Sequence, residues 1–293
     1  MTLADGIWHQ IFSFDNYGEL LTLVRKSLIA GAVLGLVGGL AGVFVIMRDL
    51  PFAVHGISEL SFAGASAALL LGTNIVAGSI TGSLLAAGAI GVLGARARDR
   101  NSVIGIIMPF GLGLGVLFLA LYKGRAANKF GLLTGQIVAV DTPQTTWLLG
   151  TSAVVLIVLA AIWRPLAFAS ADPDVAEARG VPVRGLSIAF MLLLGLAIAL
   201  SVQAVGALLV LALITTPAAA AARVTASPVL LPVLSVAFAV ASIEGGILLA
   251  LGSSIPISPY VTTISFTLYA VCRLAGSYRA RRWGARRPTP QSA

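Results

Sequence analysis

An all-α, polytopic bundle of transmembrane helices, about eight to nine crossings, is the fold class this sequence predicts. Three observations carry that expectation. Hydrophobic residues make up 58% of the 293 and charged residues only 10%, where a soluble domain carries about 25% charge. The mean hydropathy is +0.99. The apolar runs come in blocks of about 20 residues, the length a helix needs to cross a hydrocarbon layer ~30 Å thick.

Residues 1–26 read as an external or interfacial segment. Asp5, His9, Asp15 and Glu19 interrupt its apolar residues, which excludes a cleavable signal peptide with its basic start and clean apolar run. The membrane domain occupies 27–276, with predicted spans at 27–47, 51–72, 75–94, 103–122, 145–163, 185–202, 206–222, 229–251 and 258–275. No charged residue interrupts 185–222. As one helix that stretch would be about 55 Å long, so two helices with a reversal near Ser201-Val202-Gln203 are expected. Gly31, Gly35 and Gly39, the offset pair Gly38 and Gly42, and the pair Gly78 and Gly82 recur at four-residue spacing, the pattern of close helix contact within membranes.

Three segments fall outside that pattern. The stretch 123–144 is too long for a hairpin and reads as an external surface helix. In 171–181, Asp172 can cap a helix, Pro173 takes its first position, acids fill the first turn and Arg179-Gly180 closes the last, a complete start and stop grammar. On residue pattern alone this polar helix either lies on the membrane surface or docks into a soluble partner. Residues 277–293 form a basic, Pro-containing tail that reads as disordered.

The basic residues set the orientation. With the first span running outside to inside, the inner side holds Arg48, Arg96, Arg98, Arg100, Arg164, Arg179, Arg184, Arg223, Arg273, Arg279, Arg281, Arg282, Arg286 and Arg287, fourteen of the nineteen. That excess marks the cytoplasmic face of the membrane and puts the C-terminus there. It also accounts for the net charge of +8 as a topological signal, with no nucleic-acid partner. The single Cys272 permits no internal disulfide, and no metal-knuckle or haem spacing occurs.

Three ionisable side chains fall inside spans: His55, Glu59 and Glu244. His55 and Glu59 are four residues apart and share a helix face. Glu59 stands about 15 Å along its helix from Asp49, near mid-membrane, and Glu244 falls in the outer half. Charged groups at bilayer depth are costly, and where they occur they serve an ion or proton path. Imidazole and carboxylate donors suit zinc, manganese and iron(II). Ser58, Thr215, Thr216 and Ser254 are the polar positions assigned to the same path. The alternative is that His55 and Glu59 satisfy one another and Glu244 packs in its neutral form. No metalloprotease, nucleophile-elbow or phosphate-loop motif is present, so any ATP hydrolysis belongs to another chain and this chain binds no cofactor of its own.

Four motifs give the chain a resemblance to a known family. They are Val45-Ile46-Met47-Arg48-Asp49-Leu50 leading to Gly56-Ile57-Ser58-Glu59-Leu60-Ser61-Phe62-Ala63-Gly64; Leu132-Leu133-Thr134-Gly135-Gln136-Ile137; Asp172 to Gly180; and Val205-Gly206-Ala207-Leu208-Leu209-Val210 through Thr215-Thr216-Pro217-Ala218-Ala219-Ala220-Ala221. In that order and spacing, over about 22–276, the chain resembles the membrane subunit of bacterial zinc and manganese ABC transporters. The resemblance implies a homodimeric permease with ABC importer fold in a bacterial inner membrane, two ATP-binding subunits below it, and an extracytoplasmic metal-binding protein docking from outside. It implies zinc ahead of manganese and iron as the cargo. It makes 171–181 a coupling helix, in which Ala176 and Gly180 allow close approach to the ATPase and Asp172, Asp174, Glu177 and Arg179 set its register. Two departures stand out. The family places an acid three residues before the serine and a histidine just after it, whereas here His55 and Glu59 take those positions exchanged. Ser254 and Ser258 flank Pro256 where the family has an acid and a glycine, and Glu244 is the candidate to compensate.

The competing readings are a permease for an iron chelate or corrinoid, which shares a similar coupling loop, and a proton-coupled secondary transporter. The latter would show inverted repeats with interrupted helices, and no half-to-half repeat is evident. A membrane-embedded enzyme lacks any supporting motif.

Overall fold

The computed structural model describes residues 24–93, 97–125, 131–133, 142–251, 253 and 256–284, with Gly18 and Leu21. Most of the N-terminal segment, much of the 123–144 stretch including Thr134-Gly135-Gln136-Ile137, Ser254 and the tail beyond 284 lie outside the described residues. The helices run in order α1 (Arg25–Met47), α2 (Pro51–Leu71), α3 (Ile75–Leu93), α4 (Ala97–Leu121), α5 (Thr142–Ala171), α6 (Pro173–Ala178), α7 (Val183–Val205), α8 (Val210–Val224), α9 (Leu230–Leu251) and α10 (Ile257–Gly284). No strand occurs among the described residues.

Each predicted span coincides with a helix, but the crossing count needs qualification. Among the described residues seven helices, α1 to α5, α7 and α9, are long and apolar enough to cross a membrane. The 15 residues of α8 reach only about 22 Å. α10 is long but carries Thr262, Thr263 and Thr267, which lower its apolarity. Their hydroxyls donate to the carbonyls of Ser258, Pro259 and Thr263 at 2.7 Å each, so the polar groups are satisfied within the helix itself.

The break in 185–222 lies at Gly206, a few residues beyond the expected reversal. Gly206 has φ 84° and ψ 157°, a positive-φ extended conformation that only glycine adopts without strain. A 3-10 turn, Ala207–Leu209, then leads into α8. The two helices part there: α7 packs chiefly on α3 and α5, and α8 on α1, α9 and α10. α5 also departs from expectation, continuing through Pro165 to Ala171 instead of ending near 163. Its 30 residues span about 45 Å, well beyond the hydrocarbon thickness, and deliver the chain directly into α6.

Two clusters form the bundle. In the first, α2 is gripped by α3 and α4; in the second, α1 packs on α9 and α8, with α10 closing the far side. α7 joins them. Glycine makes both grips close. An added Cβ at Gly64 of α2 would collide with the Gly78 carbonyl of α3, and one at Gly82 with the Leu60 carbonyl. On α1, added Cβ atoms at Gly35 and Gly39 would stand 2.9 and 2.7 Å from the Cα atoms of Val240 and Val236 in α9, while one at Gly42 would strike the Ile214 carbonyl of α8. The two offset glycine rows of α1 thus serve two different neighbours. With no hydrophobic drive between helices in lipid, such backbone approach supplies the van der Waals contact that holds them. Between the clusters, Phe44 of α1 meets Trp163 of α5 edge-on at 4.7 Å and Phe190 of α7 at 5.6 Å.

At Gly88 an added Cβ meets nothing within 4 Å, which makes it a matched control. Gly64→Ala is expected to lower the melting temperature in detergent by roughly 5 °C, from overpacking of about 2 kcal/mol. Gly88→Ala leaves it unchanged. Fluorescence-detected melting of the two variants checks the pair.

Candidate ion site

α2 starts on Pro51, whose missing N–H costs nothing at a first helical position, and ends on Gly72 in the left-handed conformation. Between these stops it is the least apolar of the seven spans, yet among the most buried. The cause is visible on its faces. Gly111 and Gly115 of α4 bring that helix against Leu60 and Phe62, so close that a Cβ at Gly111 would lie 2.9 Å from the Leu60 amide. α3 covers another face, where the Ser61 hydroxyl lies 2.8 Å from that of Ser79 and 3.1 Å from the Ser79 carbonyl.

Within this enclosure the i, i+4 spacing brings His55 Nε2 to 3.6 Å from Glu59 Oε1. The two groups differ in access: the Glu59 side chain is 4% exposed and that of His55 30%. The carboxylate is therefore the dry end of the pair and the imidazole the reachable one. Ser58 is buried, and its hydroxyl donates to the His55 carbonyl at 2.8 Å, so its proton is committed to its own helix. Together the pair offers one nitrogen and one carboxylate on a single face. That is an incomplete shell for a divalent cation, suited to passing an ion and unlike a closed structural site with four protein ligands.

Glu244 stands apart from the pair. On α9, it packs at the α1 interface, where a Cβ on Gly31 would come within 2.8 Å of its Oε1. That oxygen is buried without a hydrogen-bond partner among the described residues. Gly31 is therefore more than a packing residue, since its missing side chain is the space the carboxyl occupies. Among the described residues no three His, Cys, Asp or Glu side chains come together to hold a metal, so within one protomer His55, Glu59 and Glu244 do not form a single set. Thr215 and Thr216 on α8 are half-buried, and Thr215 Oγ1 has no hydrogen-bond partner among the described residues. Ser254 lies outside the described residues. Ser258 is buried and donates to the Val205 carbonyl at 2.8 Å, tying α10 to the α7 end beside Gly206.

Two polar groups escaped the sequence reading. Gln203, noted there only as part of a turn, lies within α7 with its buried Nε2 unpartnered among the described residues. Arg48, noted only as a topological charge, is drawn into the bundle. Its Nε donates to Ser170 Oγ at 2.8 Å and its Nη1 to Ser187 Oγ at 3.1 Å, binding the end of α1 to α5 and α7. A basic residue directly after an apolar span was the available signal, and charge counting alone does not separate it from a solvated one.

The α6 grammar is realised in full. Asp172 is extended and its Oδ1 accepts the Val175 amide at 3.0 Å, Pro173 is at the first position, and Gly180 at φ 80° ends the turn. Asp174, Glu177, Arg179 and Gly180 are exposed, whereas Ala176 is fully buried. The expectation that Ala176 grants approach to a partner is therefore corrected. Its methyl faces this chain's own bundle, and the outward surface of α6 is formed by Val175 and the charged residues.

Comparison with known proteins follows from this geometry. The ABC 3 transport family matches residues 21–275. The manganese transport system membrane protein MntC of Halalkalibacterium halodurans is 28% identical over 263 residues, covering 89% of each chain. The high-affinity zinc uptake system membrane protein ZnuB of Haemophilus influenzae is 26% identical over 253 residues, 86% of this chain and 97% of that one. Among solved structures, PsaBC from Streptococcus pneumoniae in complex with Fab superposes with a TM-score of 0.77 at 25% identity, covering 87% of this chain and 95% of that one. A helical membrane bundle, a family match over most of its length and a like fold at high coverage lead to one conclusion. The chain belongs to the ABC 3 transport family.

Proposed function

We propose that this chain is the membrane subunit of an ATP-driven importer of a divalent transition metal, Zn2+ or Mn2+. The observation that carries the reading is the His55–Glu59 pair, a buried carboxylate reached through a part-exposed imidazole in a helix otherwise enclosed by α3 and α4. Matched relatives carry both manganese and zinc in their names, and the donor pair contains no thiolate that would decide between them. The metal is cargo. Glu59 supplies the negative charge that offsets part of the ion's lost hydration, and His55 supplies an exchangeable nitrogen. Two ligands hold the ion weakly enough for release. Glu244 lies on a separate stretch of the path, where Gly31 leaves its carboxyl room.

The energy comes from a partner. α6 presents Asp174, Glu177 and Arg179 at the end of the bundle that also carries Arg48 and Arg184, the face read as cytoplasmic from the distribution of arginines. An ATP-binding subunit docked there would move α6, and through the long α5 the rest of the bundle. A second copy of this chain completes the permease, and an extracytoplasmic metal-binding protein delivers the ion from the opposite face. The pairing of His55 with Glu59 purely to satisfy each other is the competing structural account, and it predicts no transport defect beyond lost stability.

In vesicles containing the chain and its ATPase, His55→Ala and Glu59→Gln are each expected to cut uptake of radioactive Zn2+ or Mn2+ by at least about tenfold. Ser58→Ala stays within about twofold, since its hydroxyl serves only the helix. Unchanged uptake in Glu59→Gln would falsify the path. Glu244→Gln is expected to reduce uptake severalfold without changing assembly with the ATPase, and normal uptake removes Glu244 from the route. Zn2+ is expected to half-saturate ATPase stimulation at a lower free concentration than Mn2+, as imidazole–carboxylate donors rank these ions. The reverse order would mean that geometry, rather than donor chemistry, sets selectivity.

A further inference from the structure

We propose that a cavity beneath the bundle, lined by Arg48, Arg100 and Arg184, binds a phosphate-bearing anion. Its volume is about 410 Å3, and it opens where α1 ends, α4 and α7 begin, and α6 crosses below. Arg48 is held there from above. Ser170 and Ser187 accept two of its N–H groups, and Phe190 lies 5.8 Å beneath the guanidinium carbon. A guanidinium has five N–H donors in a rigid fork, so this anchoring leaves part of the fork for a ligand. Arg100 is close enough that its charge, second to burial, lowers the pKa of Arg48. Its own Nε is buried with no hydrogen-bond partner among the described residues.

The charge at this site is unbalanced. Among the described residues neither Arg48 nor Arg100 forms an ion pair, since the pair found there is His55–Glu59. Among the described residues of the lining Glu177 is the one acid, against three arginines. Two neighbouring guanidiniums without counter-charge repel each other, and a ligand with several anionic oxygens can accept from both at once. Ile90 and Met191 give the remaining wall an apolar character. A basic pocket between transmembrane helices at the arginine-rich face is the kind of site that takes a lipid headgroup. A phospholipid headgroup and free phosphate share the required chemistry, and they are the two sources to separate. This inference is independent of the metal path, because none of its residues belongs to the His55–Glu59 face.

The test uses the full-length chain in detergent, titrated with phosphatidylglycerol in one arm and inorganic phosphate in the other. Binding is followed by native mass spectrometry and calorimetry. Arg100→Gln is expected to weaken binding about tenfold, with Arg100→Lys in between and Arg223→Gln, remote on α8, unchanged. Loss in the phosphatidylglycerol arm alone identifies a headgroup, and loss in both arms a site that accepts free phosphate. Glu177→Gln keeps every arginine and removes the acid of the lining, so it is expected to tighten binding two- to threefold. This variant decides the matter if Arg100→Gln does not fold. Equal affinities in wild type and Arg100→Gln, or weaker binding in Glu177→Gln, overturn the proposal.

Discussion

A carboxylate kept dry inside a membrane helix is the constraint on which this structure turns. Left in lipid, Glu59 would cost several kcal/mol, and α2 would be the span least able to insert. The bundle answers by surrounding α2. Glycines at 64, 78, 82, 111 and 115 draw α3 and α4 against it at backbone distance, so that the least apolar span is also among the most buried. On that face the His55 side chain stays 30% exposed while Glu59 is enclosed. Packing and access are thus two results of the same glycine pattern, which leaves Glu59 enclosed and His55 part-exposed.

The joint at Gly206 has a related consequence. α7 ends at Gly206 and α8 starts after a 3-10 turn, and in these two helices Gln203 Nε2 and Thr215 Oγ1 are buried with no hydrogen-bond partner among the described residues. Ser258 fastens α10 to the same point through the Val205 carbonyl. Irregular backbone at membrane depth is tolerated where it is enclosed by protein or lines a cavity. Glu244, packed against Gly31 in a different helix pair, likewise keeps a buried Oε1 without a hydrogen-bond partner among the described residues.

Much of this was legible from residues because the signals are local. Apolar blocks of about 20 residues marked every span, and the cap, proline and glycine around 172–180 fixed α6 to the residue. The four-residue spacing also made the His55–Glu59 contact unavoidable once α2 was a helix. What was not legible depends on tertiary contact. The span expected to end at 163 runs on through Pro165 to Ala171, and the added turns bury Leu166 and Ala169. Ala176 could face a partner or the bundle, and only packing shows that it faces inward. The register that separates Glu244 from the α2 pair follows from α1 lying against α9, which no spacing within one segment encodes. Arg48 looked like one more inner charge, and its two serine partners are more than 120 residues away in sequence.

The central claim is that cargo metal contacts the α2 pair. Its most direct test is to locate Mn2+ by anomalous scattering in the complex trapped with its ATPase. The account requires a peak about 2.2 Å from His55 Nε2 and a Glu59 oxygen, lost in Glu59→Gln. Metal bound elsewhere in the bundle, with His55 and Glu59 still facing only each other, would contradict it.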